Sequence, residues 1–171
     1  MKTNYAFVLV ISLIACVTDL HSRRIPNLLT FGGALGALIF HILTSGRAGL
    51  LASSGGWVTG IALFFAPFAL GGMGGGDLKL LAALGAWVGP RDIVWLALYA
   101  GVTGGLMALL VALVRGYLLQ AFSNIWLLLA HWRTVGLGPV HELSLEGSNG
   151  PRLAYAVPIF VGTLVTVWLN S

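Results

Sequence analysis

Long apolar runs separated by short polar breaks dominate this chain. Runs near membrane-spanning length recur at roughly 4–20, 27–44, 55–72, 77–89, 93–114 and 153–169. A helix needs about 20 apolar residues to cross the hydrocarbon core. The pattern therefore predicts an all-α membrane bundle of about six transmembrane helices. The run 77–89 is short for a crossing and needs a thinned bilayer or extension by its flanks. Pro26 stands just before the second run, where its missing N–H does no harm. Pro67 falls inside the third, which predicts a kink. The pairs Gly32/Gly36, Gly56/Gly60 and Gly101/Gly105 each put two small residues on one helical face, a pattern that predicts close helix packing.

Two segments depart from this pattern. In 117–132, "YLLQAFSNIWLLLAHW", Gln120, Asn124 and His131 gather near one face, which predicts an interfacial amphipathic helix, with a seventh span as the alternative. The stretch 134–152 is polar and rich in Gly and Pro, and predicts a loop.

Composition narrows the class. Of 171 residues, 58% are hydrophobic and only 8% charged, against about 25% charged in soluble domains. There is too little charge to coat a water-facing globule, so the solvent is the lipid bilayer, and residues 1–171 are expected to form a single transmembrane domain. One cysteine, Cys16, excludes a disulfide framework or a multi-thiolate zinc site within the chain. The histidines His21, His41, His131 and His141 are scattered without ligand spacing, so no metal or cofactor is expected. The longest basic cluster is Arg23-Arg24, so nucleic acid is not an expected partner and the net charge of +4 is assigned to topology.

With six spans, Arg23, Arg24, Lys79, Arg115, Arg133 and Arg152 lie on one side and Lys2, Arg47 and Arg91 on the other. Six basic residues against three place the first side in the cytoplasm. A competing interpretation treats Lys2, the first apolar run and "LIAC" (13–16) as a lipoprotein signal ending at Cys16. Its basic flank is weak, and an anchor is redundant beside five further spans.

The acids are Asp19, Asp77, Asp92, Glu142 and Glu146. Asp92, after Pro90-Arg91, is expected as a helix N-cap with an exposed charge, and solvation explains Glu142 and Glu146 in their polar loop. Asp19 ends the first run and Asp77 opens the fourth, with two crossings between them. Both carboxyls therefore share one membrane face at similar depth, whichever way the bundle is inserted. Ionisable groups at such depth are functional candidates. Two close, poorly solvated carboxyls do not both ionise easily. The ionised member can polarise a water while the protonated one donates to a carbonyl oxygen, the working set for peptide hydrolysis. Gly74-Gly75-Gly76 strips side chains from the approach to Asp77, so an extended peptide could come close. Simpler roles stay open. Asp77 can cap its helix, Asp19 can pair with Arg23 one turn on, and Lys79 can snorkel to the headgroups.

The first run ending in "DLHSRRIPN" (19–27), together with "GMGGGDLKLL" (72–81), resembles the type IV prepilin peptidases, membrane aspartyl proteases of the GxGD kind. The late "RLAYAVPIF" (152–160) is similar to that family's final span, with Ala154 where Pro is usual, a departure that touches no proposed catalytic group. The resemblance implies that Asp19 and Asp77 are the catalytic pair, on the cytoplasmic side of a bacterial inner membrane. It also implies cleavage of the short basic leader from pilin or pseudopilin precursors. Larger members carry a methyltransferase region with paired CxxC motifs. With its first span at the start and one Cys, this chain is similar to the short CpaA/TadV-type enzymes of tight-adherence (Flp) pili, and methylation is expected to be absent. Pilus-assembly proteins or a second copy of the chain are further candidate partners.

Asn27 is expected to cap the second helix or, alternatively, to touch substrate, and Lys79 to meet an acidic group of the substrate, tune a carboxyl or anchor the helix. A proton-linked transporter or channel subunit is the competing function, opposed by the edge position of the acids and the lack of an internal repeat; an inactive scaffold is a third. Sequence alone predicts that Gly76→Val, by crowding Asp77, lowers activity much more than expression.

Overall fold

A computed structural model describes residues 3–134 and 153–170. It is helical throughout, with five helices among the described residues: α1 (Thr3–Ser22), α2 (Asn27–Ala69), α3 (Gly75–Val114), α4 (Leu118–Thr134) and α5 (Ala156–Asn170). The first three are long and apolar enough to cross a membrane, while α5 is apolar but shorter.

Straight helices of 43 and 40 residues would reach about 60 Å or more at 1.5 Å per residue, twice a bilayer core. Neither is straight. Helical dihedrals fail at Gly46 (φ 56°, ψ −135°) in α2 and at Gly89 (φ 85°, ψ 173°) in α3. Positive φ of this kind favours glycine. A Cβ built on Gly49 would fall on the carbonyl of His41, eight residues earlier, so α2 doubles back at Gly46. α3 does the same. Gly104, far along its second leg, packs on Tyr155, which also interacts electrostatically with Asp77 at the start of the first leg. Gly46 falls between the second and third expected spans and Gly89 ends the fourth, so α2 covers the second and third and α3 the fourth and fifth. Pro67 lies two residues before the end of α2 and marks no break in its dihedrals.

The first leg of α3 occupies the centre. Every residue from Leu80 to Trp87 is buried. A helix enclosed on all sides must be apolar on all sides, and "LLAALGAW" is. This explains the short fourth run, which is a central post wrapped by other helices. Around it, both legs of α2 pack against α3, and α5 packs against α3 and α1. Outward residues are bare hydrocarbon, with Leu28 86% and Leu43 81% exposed, as lipid-facing positions require.

The glycine pairs behave unequally. Gly56 lies backbone to backbone on Gly85, and a Cβ on Gly60 would come within 2.8 Å of the Leu81 carbonyl. Gly101 and Gly105 face open space, as does Gly32, while Gly36 only meets Trp87 at 3.6 Å. The packed glycine of the 101–105 stretch is Gly104, under the Tyr155 ring. Spacing marks a small face; the helix's rotation decides whether a neighbour uses it.

The turn at Gly89 leaves carbonyls without helical partners, and Pro90 brings no N–H. Side chains from three legs answer them. Asn4 Nδ2 (3.3 Å) and His41 Nε2 (3.1 Å) donate to the Trp87 carbonyl, and Ser53 Oγ donates to that of Ala86 (2.8 Å). Asp92 is not the exposed cap expected from sequence: its Oδ2 accepts a 2.6 Å hydrogen bond from the Tyr5 hydroxyl. The segment 117–132 is helical as α4, which presents Leu119, Phe122 and Trp126 outward. The expected loop 134–152, with His141, Glu142, Glu146 and Arg152, lies outside the described residues apart from Thr134, which ends α4.

Overpacking a filled site costs about 1–3 kcal/mol. Gly56→Ala is therefore expected to lower the Tm of the detergent-solubilised protein by several degrees, and Gly101→Ala to leave it within about a degree. Equal Tm values for the two variants would contradict the Gly56–Gly85 crossing.

Candidate active site

α1 runs antiparallel to the first leg of α3. Its start meets the Gly89 turn through Asn4 and Tyr5. Its end therefore meets the start of α3, which brings Asp19 and Asp77 to one edge, where their carboxyls interact electrostatically. Asp19 is only 9% exposed and accepts a hydrogen bond from the backbone N–H of Ala156, at 3.4 Å. That donor opens α5, so the positive end of a helix faces the carboxylate.

Asp77 is the third residue of α3, behind Gly74 at the N-cap position. It is therefore not the cap itself. Its carboxyl turns back and engages the Gly74 backbone N–H, the return half of a capping box. The structural role foreseen for Asp77 is thus present in altered form, and it fixes where the carboxyl points.

The three glycines do different things. A Cβ on Gly74 would lie 3.1 Å from Asp77 Oδ2, so this glycine bares the carboxyl. A Cβ on Gly75 would meet Phe68 Cε2 and one on Gly76 would meet Ile25 Cβ, both at 3.4 Å. Gly76 therefore seats α3 on the segment leaving α1 and does not open the approach to Asp77. The left-handed residue of the entry turn is Gly71 (φ 75°). An apolar groove lined by Ile11, Pro26, Leu28, Leu29 and Gly33 opens between α1 and α2, beginning close to this edge.

Asn27 and Lys79 meet each other. Lys79 Nζ donates to Asn27 Oδ1 at 3.1 Å and lies 5.4 Å from the centre of the Phe31 ring. Asn27 is the first residue of α2 rather than its cap, and Pro26 holds the cap position. The pair ties the first turn of α2 to the first turn of α3.

Sequence reasoning missed the contribution of the last helix. Ala156 reaches Asp19 through its backbone, and Tyr155 lies within electrostatic reach of Asp77, its ring edge-on to Phe64 at 5.9 Å. A backbone donor carries no residue signature. The available signal was "AYAVP" resuming apolar sequence after the polar stretch. Among the described residues, no three His, Cys, Asp or Glu side chains gather as a metal-ligand group.

A helical membrane protein with paired acids at one edge of its bundle is the class these features define. The chain belongs to the type IV leader peptidase family, whose model matches residues 6–109, a stretch containing Asp19, Gly74 and Asp77. It is 32% identical over 105 residues to a prepilin leader peptidase/N-methyltransferase of Aeromonas hydrophila, covering 58% of this chain and 36% of that protein. It is equally similar, over 106 residues, to the protein of the same name from Aeromonas salmonicida (strain A449). The chain spans about a third of the length of these curated relatives. No solved structure matches.

The Lys79–Asn27 bond is exposed, so its coupling is expected to be small, about 0.5–1 kcal/mol. A double-mutant cycle with Asn27→Ala and Lys79→Met, read by unfolding in mixed micelles, measures it. Strict additivity would mean the two side chains do not act together.

Proposed function

We propose that this protein is a membrane aspartic endopeptidase that removes the leader from type IV or Flp-like pilin precursors. The observation that carries the proposal is the arrival of Asp19 and Asp77 at one edge, one held by Ala156 and the other bared by Gly74, in a chain of the leader peptidase family. The legs of α1, α2, α3 and α5 would make six crossings. The basic residues Arg23, Arg24, Lys79 and Arg115 belong with the acid edge, while Arg47 and Arg91 belong with the Gly46 and Gly89 turns. That distribution favours a cytoplasmic acid edge in a bacterial inner membrane.

In the proposed reaction, the ionised carboxyl takes a proton from water, and the water oxygen attacks the scissile carbonyl carbon. The protonated carboxyl gives its proton to the carbonyl oxygen. The tetrahedral adduct then collapses, the C–N bond breaks, and the nitrogen leaves with a proton from the acid pair. One amide and one water become one carboxyl and one amine, with no further reactant. The Gly74 gap lets an extended substrate backbone reach Asp77 without meeting a side chain. Peptide hydrolysis is the only chemistry assigned to these residues.

Asp19→Asn and Asp77→Asn are each expected to abolish processing of a co-expressed pilin precursor while leaving the protein inserted, as judged by N-terminal sequencing of the product and by membrane fractionation. Processing at the normal rate by either variant sinks the assignment. A second pair reverses the expectation drawn from sequence. Gly74→Val should lower activity at least about ten-fold with little change in Tm, because its side chain intrudes on Asp77. Gly76→Val should act mainly on stability, through Ile25. The opposite ranking in activity would return the gap to Gly76.

A further inference from the structure

Tyr155 stands just before α5, next to the residue that bonds Asp19. The next residue, Ala156, donates its N–H to Asp19, and Tyr155 lies within the electrostatic reach of Asp77. The ring is clamped. Phe64 meets it edge-on at 5.9 Å, and Gly104 lies so close that a Cβ there would sit 2.9 Å from the hydroxyl oxygen and 3.0 Å from Cζ. Each contact grips the ring. The hydroxyl itself has no hydrogen-bond partner among the described residues, and the side chain is only half-buried. A phenol normally finds a partner when it is buried. Here a rigid donor without a partner among the described residues is held at the acid edge, and the substrate oxygen that gains charge in the proposed reaction needs a donor.

We propose that Tyr155 is a third catalytic residue, whose hydroxyl donates a hydrogen bond to the carbonyl oxygen of the scissile amide and holds that bond as the oxygen gains charge. This rests on the peptidase function proposed above and adds a donor to it. No proton leaves Tyr155; the two acids still carry out both transfers. A fixed donor aimed at developing charge lowers the barrier without reorganising. Gly104 has a matching explanation: its missing side chain is the space in which the hydroxyl sits.

Tyr155→Phe keeps the ring, its contact with Phe64 and the start of α5, and removes only the donor. With a purified pilin precursor in detergent, kcat is expected to fall about ten- to a hundred-fold, with KM within about two-fold and Tm unchanged. Gly104→Ala keeps the hydroxyl but displaces it, and should also lower kcat. In the Tyr155→Phe background, Gly104→Ala should add little, because the donor it would misplace is already gone. An unchanged kcat in Tyr155→Phe, a loss confined to KM, or additive losses in the double variant would each overturn the inference. The Asp19→Asn and Asp77→Asn variants separate the two claims. If they are inactive while Tyr155→Phe has full kcat, the peptidase function stands and the role of Tyr155 falls. If they cleave normally, the peptidase function falls first.

Discussion

The backbone contact between Gly56 and Gly85 is the constraint on which the rest of the bundle depends. Two helical legs touch there with no side chain between them. Close approach of this kind is how helices gain dispersion energy in lipid, where burying hydrocarbon against hydrocarbon gains little from water. It draws the second leg of α2 onto the central leg of α3, and Gly60 against Leu81 and Ala82 continues the contact toward the acid edge. The depth of Asp77, one turn before Leu81, is fixed by that seating.

The edge away from the acids does the complementary work. Reversing a helix leaves carbonyls without intrahelical partners. At Gly89 those carbonyls are met by Asn4, His41 and Ser53, from α1 and both legs of α2. The Trp87 indole returns a bond to the Gly33 carbonyl at 2.9 Å and stacks on Phe7. One turn thus collects three other legs, and because α1 is pinned there by its first residues, its last turn must deliver Asp19 beside Asp77. The polar side chains farthest from the acids set the register that brings the acids together.

The acid edge itself is assembled from helix ends, and helix ends supply donors. α3 presents Gly74 to Asp77, and α5 presents Ala156 to Asp19. Each carboxyl is oriented by a backbone N–H at the start of a helix. Lys79 and Asn27 close the outer rim by joining the first turns of α2 and α3.

Much of this was legible in the sequence. Apolar runs of near-spanning length, so little charge, and an even number of runs between Asp19 and Asp77 were enough to predict an all-helical membrane bundle with two acids on one face, since hydrocarbon admits few other arrangements of backbone. Glycine-rich sequence before Asp77 marked a bare backbone beside that carboxyl. Only the tertiary structure decided which glycine bares the carboxyl, because three neighbours on a helix's first turn point in three directions: Gly74 toward Asp77, Gly75 toward Phe68, Gly76 toward Ile25. It also decided that Asp92 answers Tyr5 and that Lys79 answers Asn27, partners 87 and 52 residues away. The part played by α5 was hidden for the same reason. A backbone N–H belongs to every residue but proline, so the one that reaches Asp19 is chosen by where a helix begins in space and not by the letter at that position.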